Sequence, residues 1–152
     1  MTQDLKAARV KRWAGKMQEQ FVAIGAGTHG KSMLCVAPIA QGATVFRITG
    51  EIVARPSRYT LQVDRDRHIS PDGDHWSYVN HACDPNCILV FEFPEPGTAN
   101  ARMVARRPIA PGVEISFNYL TTEWDMASPF DCRCGAANCA GVIRGFRHLD
   151  SA

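Results

Sequence analysis

The feature that most constrains the fold is the way apolar residues are broken up along the chain. Residues 21–53 read FVAIGAGTHGKSMLCVAPIAQGATVFRITGEIV, short apolar stretches cut by glycine and proline, and CILVFEF and ARMVARRPIAPGVEISFNY continue the same texture. Stretches this short, bounded by turn formers, predict many short strands joined by tight turns. Two segments, APIAQGATV and RPIAPGVEI, repeat one design: a turn between apolar positions that leads into a strand. Only residues 4–20 read as helical, with Val10, Trp13, Met17 and Phe21 three or four positions apart and charges between them. Nothing resembles alternating βα units, so a doubly wound parallel sheet is disfavoured. A chain of 152 residues then makes one mostly-β domain. At that size it buries roughly two-thirds of the surface its unfolded form would expose.

Charge and hydropathy narrow the function classes. Lys and Arg number 17 against 15 Asp and Glu, a net charge of +2. That is far below the basic excess that would make nucleic acid the default ligand, so a metal-stapled nucleic-acid binder is disfavoured. No apolar run reaches the ~20 residues of a membrane span, and the N-terminus lacks the apolar stretch of a signal peptide. The expectation is an intracellular chain, cytoplasmic or nuclear, in which structural disulfides do not persist.

The six cysteines, at 35, 83, 87, 132, 134 and 139, then act as buried thiols, ligands or catalysts. Three fall within CRCGAANC. Thiolates at i, i+2 and i+7 around a glycine can wrap one ion from three sides, and a structural zinc wants four such ligands in a tetrahedron. The fourth must come from elsewhere: Cys83, Cys87, Cys35 or a histidine. The segment HACDPNC is favoured, because Pro85 and Asn86 form a tight turn that can project a thiolate. Free thiols in a poorly ordered tail are the bland alternative, and a redox centre lacks the C-x-x-C spacing it would need.

Four motifs occur in order: TGEIV (49–53), YVNHACDPNC (78–87), EISFNY (114–119) and CRCGAANCAG (132–141). Together they resemble the SET-domain protein lysine methyltransferases that carry a zinc-binding post-SET segment. The likeness covers roughly residues 20–145, with no counterpart of the cysteine-rich pre-SET region. It implies a mostly-β SET-domain β-clip fold of short strands with a pseudoknot and short helices, in which the NHAC segment is threaded by the segment carrying FNY. The implied organisation is an N-terminal helical extension (1–20), a SET domain (21–122) and a post-SET zinc-binding segment (123–152).

The resemblance also implies roles. Asn80 and His81 would line the S-adenosylmethionine site, and Cys83 would complete a structural zinc site with Cys132, Cys134 and Cys139. Cys87 is expected to be a structural thiol, with exchange for Cys83 as the alternative. Tyr119 matches the catalytic tyrosine and Phe117 the position that sets product multiplicity. His29, Gly30 and Lys31, from THGKSML, match the first cofactor motif. Ser32 stands where a second glycine is usual, which leaves open lower affinity or a hydroxyl that bonds the cofactor carboxylate. Ile143 matches an apolar contact to the adenine, with ordinary packing equally open. Trp76 and Tyr78 can wall the lysine channel or serve the core, while His68, His75 and His148 read as surface or hydrogen-bonded residues.

The implied activity is methyl transfer to the side-chain amine of a lysine in a protein, histone-like or otherwise basic. No membrane and no direct nucleic-acid partner are expected, and residues 4–20 leave room for a homodimer. The alternative is a catalytically silent zinc module that binds a peptide.

Overall fold

The computed structural model describes residues 21–27, 30–71 and 75–149. The helical reading of residues 4–20 and the cofactor contact assigned to His29 lie outside the described residues.

Among the described residues twelve short strands run in chain order: β1 (Val22–Gly27), β2 (Gly30–Cys35), β3 (Thr44–Ile48), β4 (Glu51–Val53), β5 (Leu61–Asp64), β6 (Arg67–Ser70), β7 (Asn80–His81), β8 (Cys87–Glu92), β9 (Asn100–Ala105), β10 (Ser116–Phe117), β11 (Phe130–Asp131) and β12 (Val142–Ile143). Three single-turn 3-10 helices, His75–Tyr78, Tyr119–Thr121 and Phe146–His148, are the helical content of the described residues. The short-strand expectation is therefore met, and the architecture is mostly β.

The strands assemble into five small sheets. β1 and β2 form a hairpin, β9 runs between β3 and β8, and β6 runs between β4 and β5. β9 shows why: its residues alternate, with Ala101, Met103 and Ala105 turned inward. They meet Val45, Phe46 and Ile48 of β3, Met33 and Cys35 of β2, Ile39, Ile109 and Ile115 in one core. Each large aliphatic side chain fully buried there contributes about 1.5–3 kcal/mol relative to exposure. His68, expected at the surface or hydrogen-bonded, is instead buried on β6 with no partner for Nδ1. Burial pushes its pKa down, which keeps the ring neutral in the core.

The two segments of like design are partners. Ile39 and Ile109 exchange both backbone hydrogen bonds, at 3.0 and 2.9 Å. Around them Gly42 N–H donates to Ala105 C=O and Gly112 N–H to Cys35 C=O, both at 2.8 Å. Cys35 N–H in turn donates to Val113 C=O and Ala105 N–H to Ala43 C=O. Every contact thus has its mirror at a constant offset along the chain, a local twofold. Gly42 (φ +82°) and Gly112 (φ +90°) hold the left-handed corner of each turn, which only glycine adopts freely.

Beside this clasp β7 and β10 pair in parallel, with Ser116 opposite Asn80 and Phe117 opposite His81. The turn after β7 is fastened to the same strand by a side chain. Buried Asn86 donates from Nδ2 to Glu114 C=O at 2.8 Å, while its Oδ1 accepts from Ser116 N–H at 3.0 Å. One asparagine thus substitutes for a stretch of strand pairing, and the NHAC and FNY segments, expected to be threaded one through the other, meet side by side in this parallel pair.

Candidate active site and metal centre

β7, β10 and the turn that follows β10 form one wall of a cleft of about 550 Å³, closed on other sides by residues 57–61 and 126–131. That volume suits a cofactor-sized ligand. Tyr119 faces it. The phenol O–H donates to Val79 C=O at 2.6 Å and the backbone N–H donates to His81 Nδ1 at 3.0 Å, so the residue is held at both ends by the segment 79–81. Burial first, and the Glu123 carboxylate second, push the phenol pKa well above its ordinary value. It stays a neutral phenol that donates to Val79 and offers its oxygen lone pairs to the cleft. Phe117 packs beside it, ring centroids 4.8 Å apart, and Trp76 and Ile48 add apolar wall.

Asn80 lines the cleft, but its side-chain amide is committed behind the wall, donating to Ser32 Oγ at 3.0 Å and Glu114 Oε1 at 2.7 Å. That leaves its backbone toward the cleft. Ser32, fully buried, donates its hydroxyl to the same Glu114 oxygen at 2.5 Å. Of the two outcomes left open for Ser32, a hydroxyl on the cofactor carboxylate is not what this geometry shows: the hydroxyl is spent on Glu114. It fits because residue 27 is glycine; a Cβ there would lie 1.7 Å from Ser32 Oγ.

Lys31 does reach the cleft, its Nζ 5.3 Å from the centre of the Tyr78 ring. Gly30, the first residue of β2, has φ +97° and open space over its α-carbon. Ile143 is fully buried opposite Phe130 in the β11–β12 pair, so the two side chains share one face of that ribbon; Phe130 lines the cleft and Ile143 packs beside it. Sequence reasoning passed over Phe130, Glu123 and Arg58, all on the cleft. Glu123 binds the backbone N–H of Gln62 at 3.0 Å and the Thr122 hydroxyl at 2.8 Å, and burial raises its carboxyl pKa. No spacing signal marks it, because the backbone it holds, at Gln62, is remote in sequence.

The sulfur atoms of Cys83, Cys132, Cys134 and Cys139 all lie within 4.8 Å of one another, and Cys83 Sγ to Cys132 Sγ is 3.8 Å. Four thiolates about 2.3 Å from a central zinc would be separated by about 3.8 Å, so the set fits a tetrahedral ion. The surroundings suit thiolates too. Cys83 Sγ accepts from Ala140 N–H at 3.4 Å and faces His81 Nε2 at 3.2 Å. Backbone N–H groups, that of Ala136 foremost, hold the Cys134 thiol down at about 6, whereas burial pushes Cys132 up to about 12. A bound cation would bring both to the thiolate. Cys87 lies in the apolar core, where burial and neighbouring Cys35 push it up to about 12. It stands apart from the sulfur cluster, in which Cys83 is the fourth member.

Fold and site define a class: a β-clip domain whose cleft is floored by a tyrosine and stapled by a four-cysteine cluster. The comparisons agree. The family model described as SET domain matches residues 9–120. The chain is 34% identical over 128 residues to "Methyltransferase flvH" of Aspergillus flavus, covering 84% of this chain and 68% of that protein. It is 27% identical over 124 residues to "Histone-lysine N-methyltransferase ash1" of Drosophila melanogaster, covering 71% of this chain and 6% of that protein. A solved structure of KRYPTONITE in complex with mCHG DNA and SAH superposes with a TM-score of 0.68 at 20% identity, over 81% of this chain and 29% of that one, a likeness of fold. The chain belongs to the SET-domain family. Among the described residues no helix is long and apolar enough to cross a membrane.

Proposed function

We propose that the chain is an S-adenosylmethionine-dependent methyltransferase that acts on the side-chain amine of a protein lysine, with a histone or similarly basic protein as substrate. The observation that carries this reading is Tyr119, set on the cleft wall beside the NHAC strand with its hydroxyl donating a hydrogen bond to Val79 C=O. Relatives named as histone-lysine methyltransferases support the substrate class.

The cofactor supplies a methyl group on a sulfonium; the chain supplies its place and the state of the nucleophile. Lys31 and the backbone of Asn80 and His81 would hold the cofactor, with Phe130 against its flat portion. Lysine is overwhelmingly protonated at neutral pH, its reference pKa being about 10.4, and must lose a proton to attack. The apolar wall of Phe117, Trp76 and Ile48 favours the neutral amine by desolvation. The Tyr119 oxygen accepts from that amine and aims its lone pair. Alignment of this kind is worth several kcal/mol of orientation entropy, up to about 7–11 in the best model systems. The phenol does not take the proton: with its own pKa raised and its hydrogen donated to Val79 it is an orienting dipole. Zinc held by Cys83, Cys132, Cys134 and Cys139 would fasten the segment that closes the cleft. Phe117 offers no hydroxyl to hold a water against the amine, so methylation proceeds beyond the first methyl.

The test is methyl transfer from labelled S-adenosylmethionine to a panel of histone and ribosomal proteins, beside Tyr119→Phe. Label on lysine that vanishes in the variant supports the reading. Absence of both cofactor binding and label would overturn it and leave the silent peptide-binding module.

A further inference from the structure

His81 is buried, 8% exposed, and both of its ring nitrogens are used away from the cleft. Nδ1 accepts the Tyr119 backbone N–H at 3.0 Å, and Nε2 lies 3.2 Å from Cys83 Sγ. An amide N–H can only donate, so Nδ1 carries no proton; the proton of the neutral ring is on Nε2 and points at the sulfur. The ring cannot easily turn. It is held edge-on against Tyr119 and Phe130, with centroids 5.3 and 5.8 Å away, and Phe130 is followed within two residues by Cys132.

Other bonds join the cysteine cluster to the chain around it: Ala140 N–H to Cys83 Sγ, and Asn138 Nδ2 to Cys83 C=O at 3.0 Å. Neither touches Tyr119. The imidazole does, through a two-bond path from the sulfur to the tyrosine amide. A coordinated thiolate is a stronger acceptor than a thiol, and the orientation of a group bonded to it tightens with the charge.

We infer that His81 is a positioning residue that couples the four-cysteine site to the catalytic tyrosine, so that metal occupancy sets where the Tyr119 backbone stands. The coupling itself is a property of the fold. Only its consequence for turnover rests on the methyltransferase reading.

The experiment is site-resolved hydrogen exchange of the Tyr119 amide in the full chain, zinc-loaded and after stripping with a chelator, with β9 amides as an internal reference for global stability. The variants are His81→Phe, which keeps a ring and removes both nitrogens, and His81→Gln, which keeps an acceptor and a donor. Stripping the wild type should speed exchange at Tyr119 by about tenfold or more while β9 stays protected. His81→Phe should exchange fast with zinc present and gain little on stripping, and His81→Gln should retain part of the protection. If stripping speeds the amides of residues 132–141 but leaves Tyr119 unchanged, the inference is overturned, as it is if zinc-loaded His81→Phe protects Tyr119 like the wild type. Should His81→Phe not fold, the wild-type comparison and His81→Gln decide alone. A wild type that exchanges as expected yet neither binds S-adenosylmethionine nor methylates any protein of the panel would remove the proposed function and leave the coupling standing.

Discussion

Tyr119 shows how much one side chain can be asked to do when the fold fixes both its ends. Tyr119→Phe removes the hydrogen bond to Val79, which should cost about 1 kcal/mol of stability. Loss of an oriented dipole at the reacting centre typically lowers turnover by about 10²–10³. Calorimetry should find cofactor affinity nearly unchanged, and a variant that turns over at the wild-type rate would remove Tyr119 from the chemistry. Phe117→Tyr tests the neighbouring position: mass spectrometry of exhaustively treated substrate should shift toward the monomethyl product, and an unaltered distribution would deny Phe117 that part. Glu123 carries a pH signature. Its folded-state pKa is raised, burial being the main cause, so its contribution is present below the unfolded value of about 4.3 and lost as pH rises through the folded value. At neutral pH the charged carboxylate is therefore a burden. Glu123→Gln, which can keep accepting from Gln62 and Thr122, should melt higher than the wild type at about pH 8 and lose that advantage at about pH 4. An advantage that grows toward acid would contradict the burial account.

The β1–β2 hairpin makes the same point between elements. Ser32 can be buried only because Gly27, diagonal to it across the hairpin, leaves room for its hydroxyl where a Cβ would stand. Gly27→Ala should therefore destabilise by about 1–3 kcal/mol through overpacking, measured by denaturant titration. Adding Ser32→Gly should return most of that loss, since contacting residues do not behave additively. Equal destabilisation in single and double variants would break the argument. The strands were legible because short apolar runs ended by Gly and Pro have few other ways to fold, and the four-cysteine set was legible because its members announce themselves by type and spacing. What stayed hidden depended on partners distant in sequence. Ser32 could be seen as a departure from pattern, but not that Glu114 takes its hydroxyl; Ile143 could be seen as apolar, but not that it pairs with cleft-lining Phe130. Likewise APIAQGATV and RPIAPGVEI could be seen to be alike, and not that they meet: periodicity tells which way a residue faces, not what it faces.

Over the whole molecule, stability is unevenly shared. The strands up to β10 enclose the apolar core, whereas among described residues past 123 only Ile143 is a buried large hydrophobic, and Trp124 and Phe146 stack exposed on each other. The C-terminal segment is held by a few bonds, such as Phe146 N–H to Glu123 C=O at 2.9 Å and Asp125 to Arg147 and His148, and on the proposed reading by zinc at its thiols. Removing metal should therefore loosen residues 125–145 and weaken cofactor binding while far-ultraviolet circular dichroism keeps its β signature. Loss of that signature with the metal would mean the core is not independent. The clasp at Ile39 and Ile109 bears on events before any of this exists. On a ribosome, or early in refolding, residues 35–43 emerge well before residues 105–113, and the nearest match to the missing half is the same half of another chain. Two incomplete molecules can then mate through the surface meant for self-closure. Refolding yield is accordingly expected to fall as protein concentration rises, with dimeric by-products on size-exclusion chromatography, and dilution or delayed release of the nascent chain becomes the condition for closing the clasp within one molecule.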